Sequence, residues 1–223
     1  MSHDDHDHDH DHHHDHEHHQ PHPYQPDIED KPFTERMVMT QAIAELIVEK
    51  GIVSADEMRR QIELMDSREP GLGAKLVART WVDPAFKARV LADVNKASAE
   101  LGIDTGDIPI MAIENTEQVH NVVVCTLCSC YPRMLIGLPP DWYKSRAYRS
   151  RTVKEPRKVL QEFGTHIADD VEVRVHDSTA DLRYLVLPAR PAGTDNWDED
   201  KLAALVTRDS MIGVSLAKTP QDL

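Results

Sequence analysis

All three cysteines of the chain fall within six residues, in the stretch Val122-Val123-Val124-Cys125-Thr126-Leu127-Cys128-Ser129-Cys130-Tyr131-Pro132. The β-branched run before them reads as a buried strand, and Pro132 ends regular pairing just beyond. A disulfide framework is disfavoured by the odd cysteine count and the lack of a secretory signature. Structural zinc sites usually draw four N or S ligands from two separated pairs, and no second pair exists here. A redox CxxC motif leaves the third cysteine unexplained. Binding of one metal ion by all three sulfurs accounts for every cysteine. Cys128 and Cys130 can chelate one ion with the intervening amide nitrogens of Ser129 and Cys130 beside it, while Cys125 reaches it from below. Mixed S and N ligation with one open position suits a trivalent ion such as cobalt or iron rather than zinc. The open position is where water or substrate would be activated.

Val-Cys-Thr-Leu-Cys-Ser-Cys-Tyr-Pro resembles the metal-binding signature of nitrile hydratase α subunits. The likeness continues through Gly137-Leu138-Pro139-Pro140-Asp141-Trp142-Tyr143-Lys144-Ser145, Tyr148-Arg149-Ser150-Arg151, Arg190-Pro191-Ala192-Gly193-Thr194-Asp195 and Thr207–Val214, and spans roughly residues 33 to 219. It implies an enzyme, a hydro-lyase that converts a nitrile and water to an amide. By the same resemblance Cys125 is the axial thiolate, and Cys128 and Cys130 become sulfinic and sulfenic acids. The amides of Ser129 and Cys130 complete the metal ligands, and Cys130 with Ser129 forms the catalytic pair. Threonine at position 126 is similar to the cobalt branch, which makes Co(III), one per chain, the expected cofactor and Fe(III) the second choice. Thr126 and Arg133 are the candidate substrate-pocket residues. Implied partners are a β subunit, as an αβ dimer or α2β2 assembly, a cobalt-insertion activator protein and a small nitrile.

Arg133 departs from the Tyr-Pro-Trp of many cobalt hydratases. Tyr131-Pro132-Arg133 instead resembles the γ subunit of thiocyanate hydrolase, where a cation beside the metal favours a small anion. That is the alternative activity. A metal-handling or storage protein is the alternative of another class.

The storage alternative draws on the N-terminus, where residues 1–22 alternate His with Asp or Glu. Such a segment is too polar to fold alone. Its imidazoles can gather divalent ions, and the bland reading is an acidic solubilising tail. Residues 1–32 hold ten acids against Lys31, so −9 of the net charge of −14 sits there. An acidic chain offers nothing to phosphate backbones, which excludes nucleic acid as an expected partner. No apolar run approaches the roughly 18 residues of a membrane span. Without signal-peptide features, and with free thiols, the expected location is cytoplasmic.

Three regions follow: a tail and Pro-rich linker over 1–32, a helical arm over 33–104, and a metal-binding α+β domain over 105–223. The fold class is α+β, a helical arm followed by a layered α/β domain with the metal site at a strand-to-loop junction. Apolar spacing predicts a helix ending at Gly51. Ser54-Ala55-Asp56-Glu57 is a capping box for the next, and Pro70-Gly71 begins a third. Asp83-Pro84 opens a helix expected to reach Gly102. Further on, helices are expected over 139–151, over 156–163 and from Asp198 to Thr207. Strands are expected over 118–124, 171–175 and 182–187, with 211–214 closing the sheet. In the resembled family the helical arm wraps the β subunit. His120, His166 and His176, the only histidines beyond the tail, are expected to be hydrogen-bonded or surface residues. Trp142, Tyr143 and Tyr148 are expected to pack. Arg149, Arg151 and Arg183 are either cations near oxidised cysteines or ordinary salt-bridge partners.

Overall fold

A computed structural model describes residues 34–223; the His/Asp tail and the linker lie outside the described residues. Contact density divides the chain into Met1–Ile52 and Val53–Leu223. In the first unit, Thr34 caps α1 (Glu35–Glu49), and none of that helix's residues is buried.

The second unit opens with α2 (Ala55–Asp66), where the Ser54–Glu57 capping box closes at both ends. Next comes α3 (Pro70–Val82), which buries Ala74, Leu76, Val77 and Ala78 on one face. Gly73 is required on that face, since a Cβ there would stand 2.5 Å from Ile136 and 2.7 Å from the Met211 sulfur. Asp83 caps α4 (Pro84–Ala92) as expected. The helix does not continue to Gly102, however. Asp93 adopts extended backbone, and its carboxylate caps a separate α5 (Val94–Glu100). These helices lie in the same compact unit as the strands, Val53–Leu223.

Two parallel strand pairs carry the rest. β1 (Ile110–Glu114), which is not among the expected strands, and β2 (Val119–Val124) are neighbours in the chain but do not pair with each other. Between β2 and β3 lie α6 (Arg133–Ile136), α7 (Asp141–Lys144), α8 (Arg146–Lys154) and α9 (Pro156–Glu162). The single helix expected over 139–151 is two, because extended Ser145 ends α7 and caps α8 with its hydroxyl. β3 (Glu172–Asp177) pairs with β2, and β4 (Arg183–Leu187) pairs with β1. Parallel pairing needs long crossovers, which the intervening helices supply. β2 is covered on both faces, with Val122, Val123, Val124 and Cys125 buried, as parallel strands generally are.

The chain closes with α10 (Glu199–Leu205) and α11 (Arg208–Ile212). The expected strand over 211–214 is therefore a helix end. Thr207 and Ser210 form a capping box, and the buried apolar run belongs to a short helix packed on β4, β2 and α3. Among the described residues, no helix is long and apolar enough to cross a membrane. The mixed helix and strand class matches expectation.

Candidate metal centre

The cysteine loop begins where β2 ends. Register sets its first anchor: Val124 lies opposite Asp177, so the Asp177 carboxylate meets the residue after Cys125. It accepts the Thr126 backbone N–H at 2.9 Å and the Thr126 hydroxyl at 2.6 Å. A floor of aromatic rings, Tyr131, Trp142, Tyr143, Tyr148 and Phe163, packed edge-on except for the tilted Tyr143–Tyr148 pair, supplies the second anchor. The Tyr148 hydroxyl donates to the Val123 carbonyl at 2.7 Å, just before the loop, and the Tyr143 hydroxyl donates to the Cys130 carbonyl at 2.8 Å, at its end. Burial pushes both phenols far above their usual range, so they stay neutral donors. The loop is thus held at both ends while its middle is free to face solvent.

Within it the three thiol sulfurs lie within 4.8 Å of one another. Cys125 and Cys128 are separated by 3.6 Å, and Cys128 and Cys130 by 3.3 Å. A metal–sulfur bond of about 2.3 Å places two sulfurs about 3.3 Å apart at a right angle and about 3.8 Å apart at a tetrahedral angle. Spacings of 3.3 and 3.6 Å would let these sulfurs share one ion, the Cys128–Cys130 pair at close to a right angle. Three consecutive amides also turn toward the sulfurs. The Cys128 N–H donates to the Cys125 sulfur at 3.3 Å, and the N–H groups of Ser129 and Cys130 reach the Cys128 sulfur. The donor set, soft sulfur with amide nitrogens alongside, fits a transition metal rather than a hard cation.

The thiols differ in acidity. Hydrogen bonds from Cys130 first, and from the Ser129 N–H next, hold the Cys128 thiol below its ordinary value. Burial, then the neighbouring Cys128 and Cys125 sulfurs, push Cys130 up to about 12, while the charge of Arg183 pulls the other way. Crowding lets one thiolate form readily and opposes the next. A bound cation reverses that opposition, since ligation and deprotonation are linked.

Ser129, Cys128 and Cys130 border a cavity of about 760 Å³, with Arg133, Lys144 and Arg183 on its wall. Arg133 thus shares the cavity with the cysteines. Thr126 does not: with Leu127, Arg146 and Arg149 it borders a separate cavity, and its hydroxyl serves the loop anchor. Arg151 pairs with Glu155 and Glu162 as a structural bridge, and Arg149 donates to the Thr126 carbonyl at 3.3 Å. The Arg149 Nε is buried without a hydrogen-bond partner among the described residues, and so is the Nη1 of Arg183. Pairing of β4 with β1 sets it opposite Ile110, at the cavity rim.

His120 and His176 belong to a buried polar network under β2 rather than to the metal loop. His120 bonds Gly213 and Asn115, and His176 bonds Asn121. His166 lines a third, distant cavity. Sequence reasoning missed the roles of Asp177 and Tyr143. The register of β2 against β3 is the signal that would have exposed the first, and no local pattern carries the second.

Residues 34–215 match the family described as nitrile hydratase, alpha chain. The chain is 52% identical over 183 residues to the low-molecular weight cobalt-containing nitrile hydratase subunit alpha of Rhodococcus rhodochrous, covering 81% of this chain and 88% of that one. Among solved structures, a recombinant thiocyanate hydrolase comprising partially modified cobalt centres superposes with a TM-score of 0.80 at 38% identity, covering 84% of this chain and 92% of the other. A double mutant of the Fe-type nitrile hydratase from Comamonas testosteroni Ni1 gives 0.76 at 42% identity, covering 84% and 94%.

Proposed function

The chain belongs to the nitrile hydratase alpha-chain family, and on that premise we propose that it is the α subunit of a cobalt-type nitrile hydratase, adding water across a C≡N bond to give an amide. The observation that carries this reading is the sulfur triangle, with spacings of 3.3 and 3.6 Å on the wall of a cavity large enough for a small organic substrate. The ligands would be Cys125, Cys128 and Cys130 with the amides of Ser129 and Cys130. Bound trivalent cobalt supplies Lewis acidity for polarising the nitrile or acidifying water. Identity of 52% to a cobalt-containing relative favours cobalt over iron.

The residues divide the remaining work. Cys125, fully buried, fixes the loop from below. Cys130 faces the cavity, and as a sulfenate its oxygen would take a proton from water or attack the nitrile carbon, with Cys128 as the sulfinate beside it. Tyr143 fixes the Cys130 backbone and so the direction of that oxygen. In the first unit, Met37, Val38, Met39, Ile43 and Leu46 are exposed on α1. Exposed apolar side chains in this number on one helix mark a partner surface, which supports a β subunit, as αβ or α2β2. Because trivalent cobalt exchanges ligands slowly, loading would need an activator protein.

A second reading, thiocyanate hydrolysis, rests on Arg133 at the cavity wall. Assaying the cobalt-loaded chain with its partner subunit on acetonitrile and on thiocyanate separates the two. Acetamide formation supports the hydratase, and turnover of thiocyanate alone overturns it. A storage protein would turn over neither, and deleting residues 1–22 would strip most of its metal.

A further inference from the structure

Part of the wall of the cysteine-lined cavity is a loop with little structure of its own. Thr105, Gly106, Asp107, Ile108 and Ile110 border the same cavity as Cys128, Ser129 and Cys130, and apart from Thr105 the loop over 104–109 is exposed. Backbone outside a helix or a ladder still needs partners for its polar groups. Here one side chain supplies three of them. Asn95, in the first turn of α5, donates from its amide to the Gly106 carbonyl at 3.0 Å and to the Ile108 carbonyl at 3.1 Å, and its own oxygen accepts the Ile110 N–H at 2.9 Å. Other ties are single ones: the Asp104 carboxylate accepts the Gly106 N–H at 2.9 Å, and the Pro109 carbonyl accepts the Arg183 N–H at 2.9 Å. Asn95 itself is not on the cavity wall, and its three bonds reach no residue of the cysteine loop.

We propose that Asn95 is a positioning residue that fixes the 105–110 wall of the substrate cavity and so sets how tightly the hydrocarbon chain of a nitrile is held. The proposal rests on the hydratase reading and adds a determinant of substrate affinity to it. Ile108 and Ile110 give this wall apolar surface, and each CH2 of a substrate buried against such surface is worth about fourfold in affinity. That gain needs a wall already in place, since ordering a loose loop at the moment of binding is subtracted from affinity. Contacts to a hydrocarbon chain are made equally in the ground and transition states, so losing them raises KM and leaves kcat nearly unchanged. Acetonitrile, with a single methyl group, has little to lose. Valeronitrile, longer by three CH2 groups, has more.

The test uses the cobalt-loaded enzyme with its partner subunit, as wild type, Asn95→Ala and Asn95→Asp. Asn95 is only half-buried, so both variants should fold. Alanine is the better helix former, so a loss in Asn95→Ala does not come from a weakened α5. Asn95→Asp keeps the shape of the side chain but turns a carboxylate toward two carbonyl oxygens, and should lose at least as much. In both variants KM for valeronitrile should rise about tenfold, the size of one to two lost hydrogen bonds, and KM for acetonitrile less than about threefold. At unchanged cobalt content kcat should stay within about twofold. Hydrogen exchange of the same complexes should quicken over residues 104–110 and stay as in wild type over β2. Unchanged KM for valeronitrile, an equal rise for both nitriles, or a fall in kcat that follows lost cobalt overturns the proposal, as does wild-type exchange over 104–110 in the variants. If the wild type hydrates no nitrile, the hydratase reading fails and the substrate role of Asn95 with it. An active wild type with unaltered variants leaves that reading standing and removes only the role of Asn95.

Discussion

Gly213→Ala should destabilise the protein far more than a chemically identical change at Gly164, and the difference is set by one backbone carbonyl. Both glycines sit in the left-handed region, with φ of +89° at Gly213 and +82° at Gly164. Placing alanine there costs about 1–2 kcal/mol at either position. At Gly164 nothing lies within 4 Å of the new Cβ, so that is the whole effect. At Gly213 the Cβ would collide with the Asn121 carbonyl oxygen and stand 3.0 Å from the Val122 Cα. These atoms belong to β2, paired to β3 along its length, and cannot retreat without opening the ladder or pushing α11 away. Overpacking of this kind adds about 1–3 kcal/mol or more, for a total of about 2–5 kcal/mol at Gly213. The displaced strand leads directly into Cys125, so cobalt retention should fall as well. Urea unfolding midpoints of the two variants, converted with a common slope, measure the gap. Equal losses at the two sites would refute the reasoning, for then α11 is not seated against β2 as described.

Other perturbations probe the anchors of the cysteine loop. Tyr143→Phe removes the hydrogen bond to the Cys130 carbonyl; it should cost about 1 kcal/mol of stability and reduce kcat more than it raises KM, read from steady-state kinetics on acetonitrile. Asp177→Ala frees Thr126 from two hydrogen bonds at about 1–2 kcal/mol, reduced by solvent exposure, and should speed cobalt loss to a chelator. Burial lowers the pKa of both His120 and His176 in the folded state. The unfolded chain then binds more protons as pH falls below about 6.5, so stability is present above that value and declines through it toward the lower folded pKa values. Urea midpoints at neutral and mildly acidic pH should show this slope, and His120→Gln should flatten it.

Local chemistry made much of this fold legible. Ser54 with Glu57, and Asp83 with Pro84, declare helix starts that need no tertiary information. The clustering of the three thiols was readable for a similar reason, since cysteines at that spacing bring their sulfurs together. What escaped depends on distant partners. Asp93 inside an apolar run looks like one tolerated polar residue, yet it breaks the helix and caps the next. Ile110–Glu114 becomes a strand only through pairing with Arg183–Leu187, far along the chain. Met211–Val214 resembles a buried strand because a short apolar run has no distinguishing period, and the Thr207–Ser210 cap that makes it a helix was the overlooked clue. The same limit applies at the site. Thr126 sits beside Cys125 in sequence but turns away to Asp177, whereas Arg183 reaches the cavity from the other strand pair.

The central claim is that the sulfur triangle holds one cobalt ion, and elemental analysis after chelator treatment tests it most directly. The protein, lacking residues 1–22 so that tail-bound ions do not count, would be produced with cobalt and its partner subunit, alongside Cys125→Ala. The account predicts close to one cobalt per chain in the first and almost none in the second. Zinc in place of cobalt, or equal cobalt in both proteins, would contradict it.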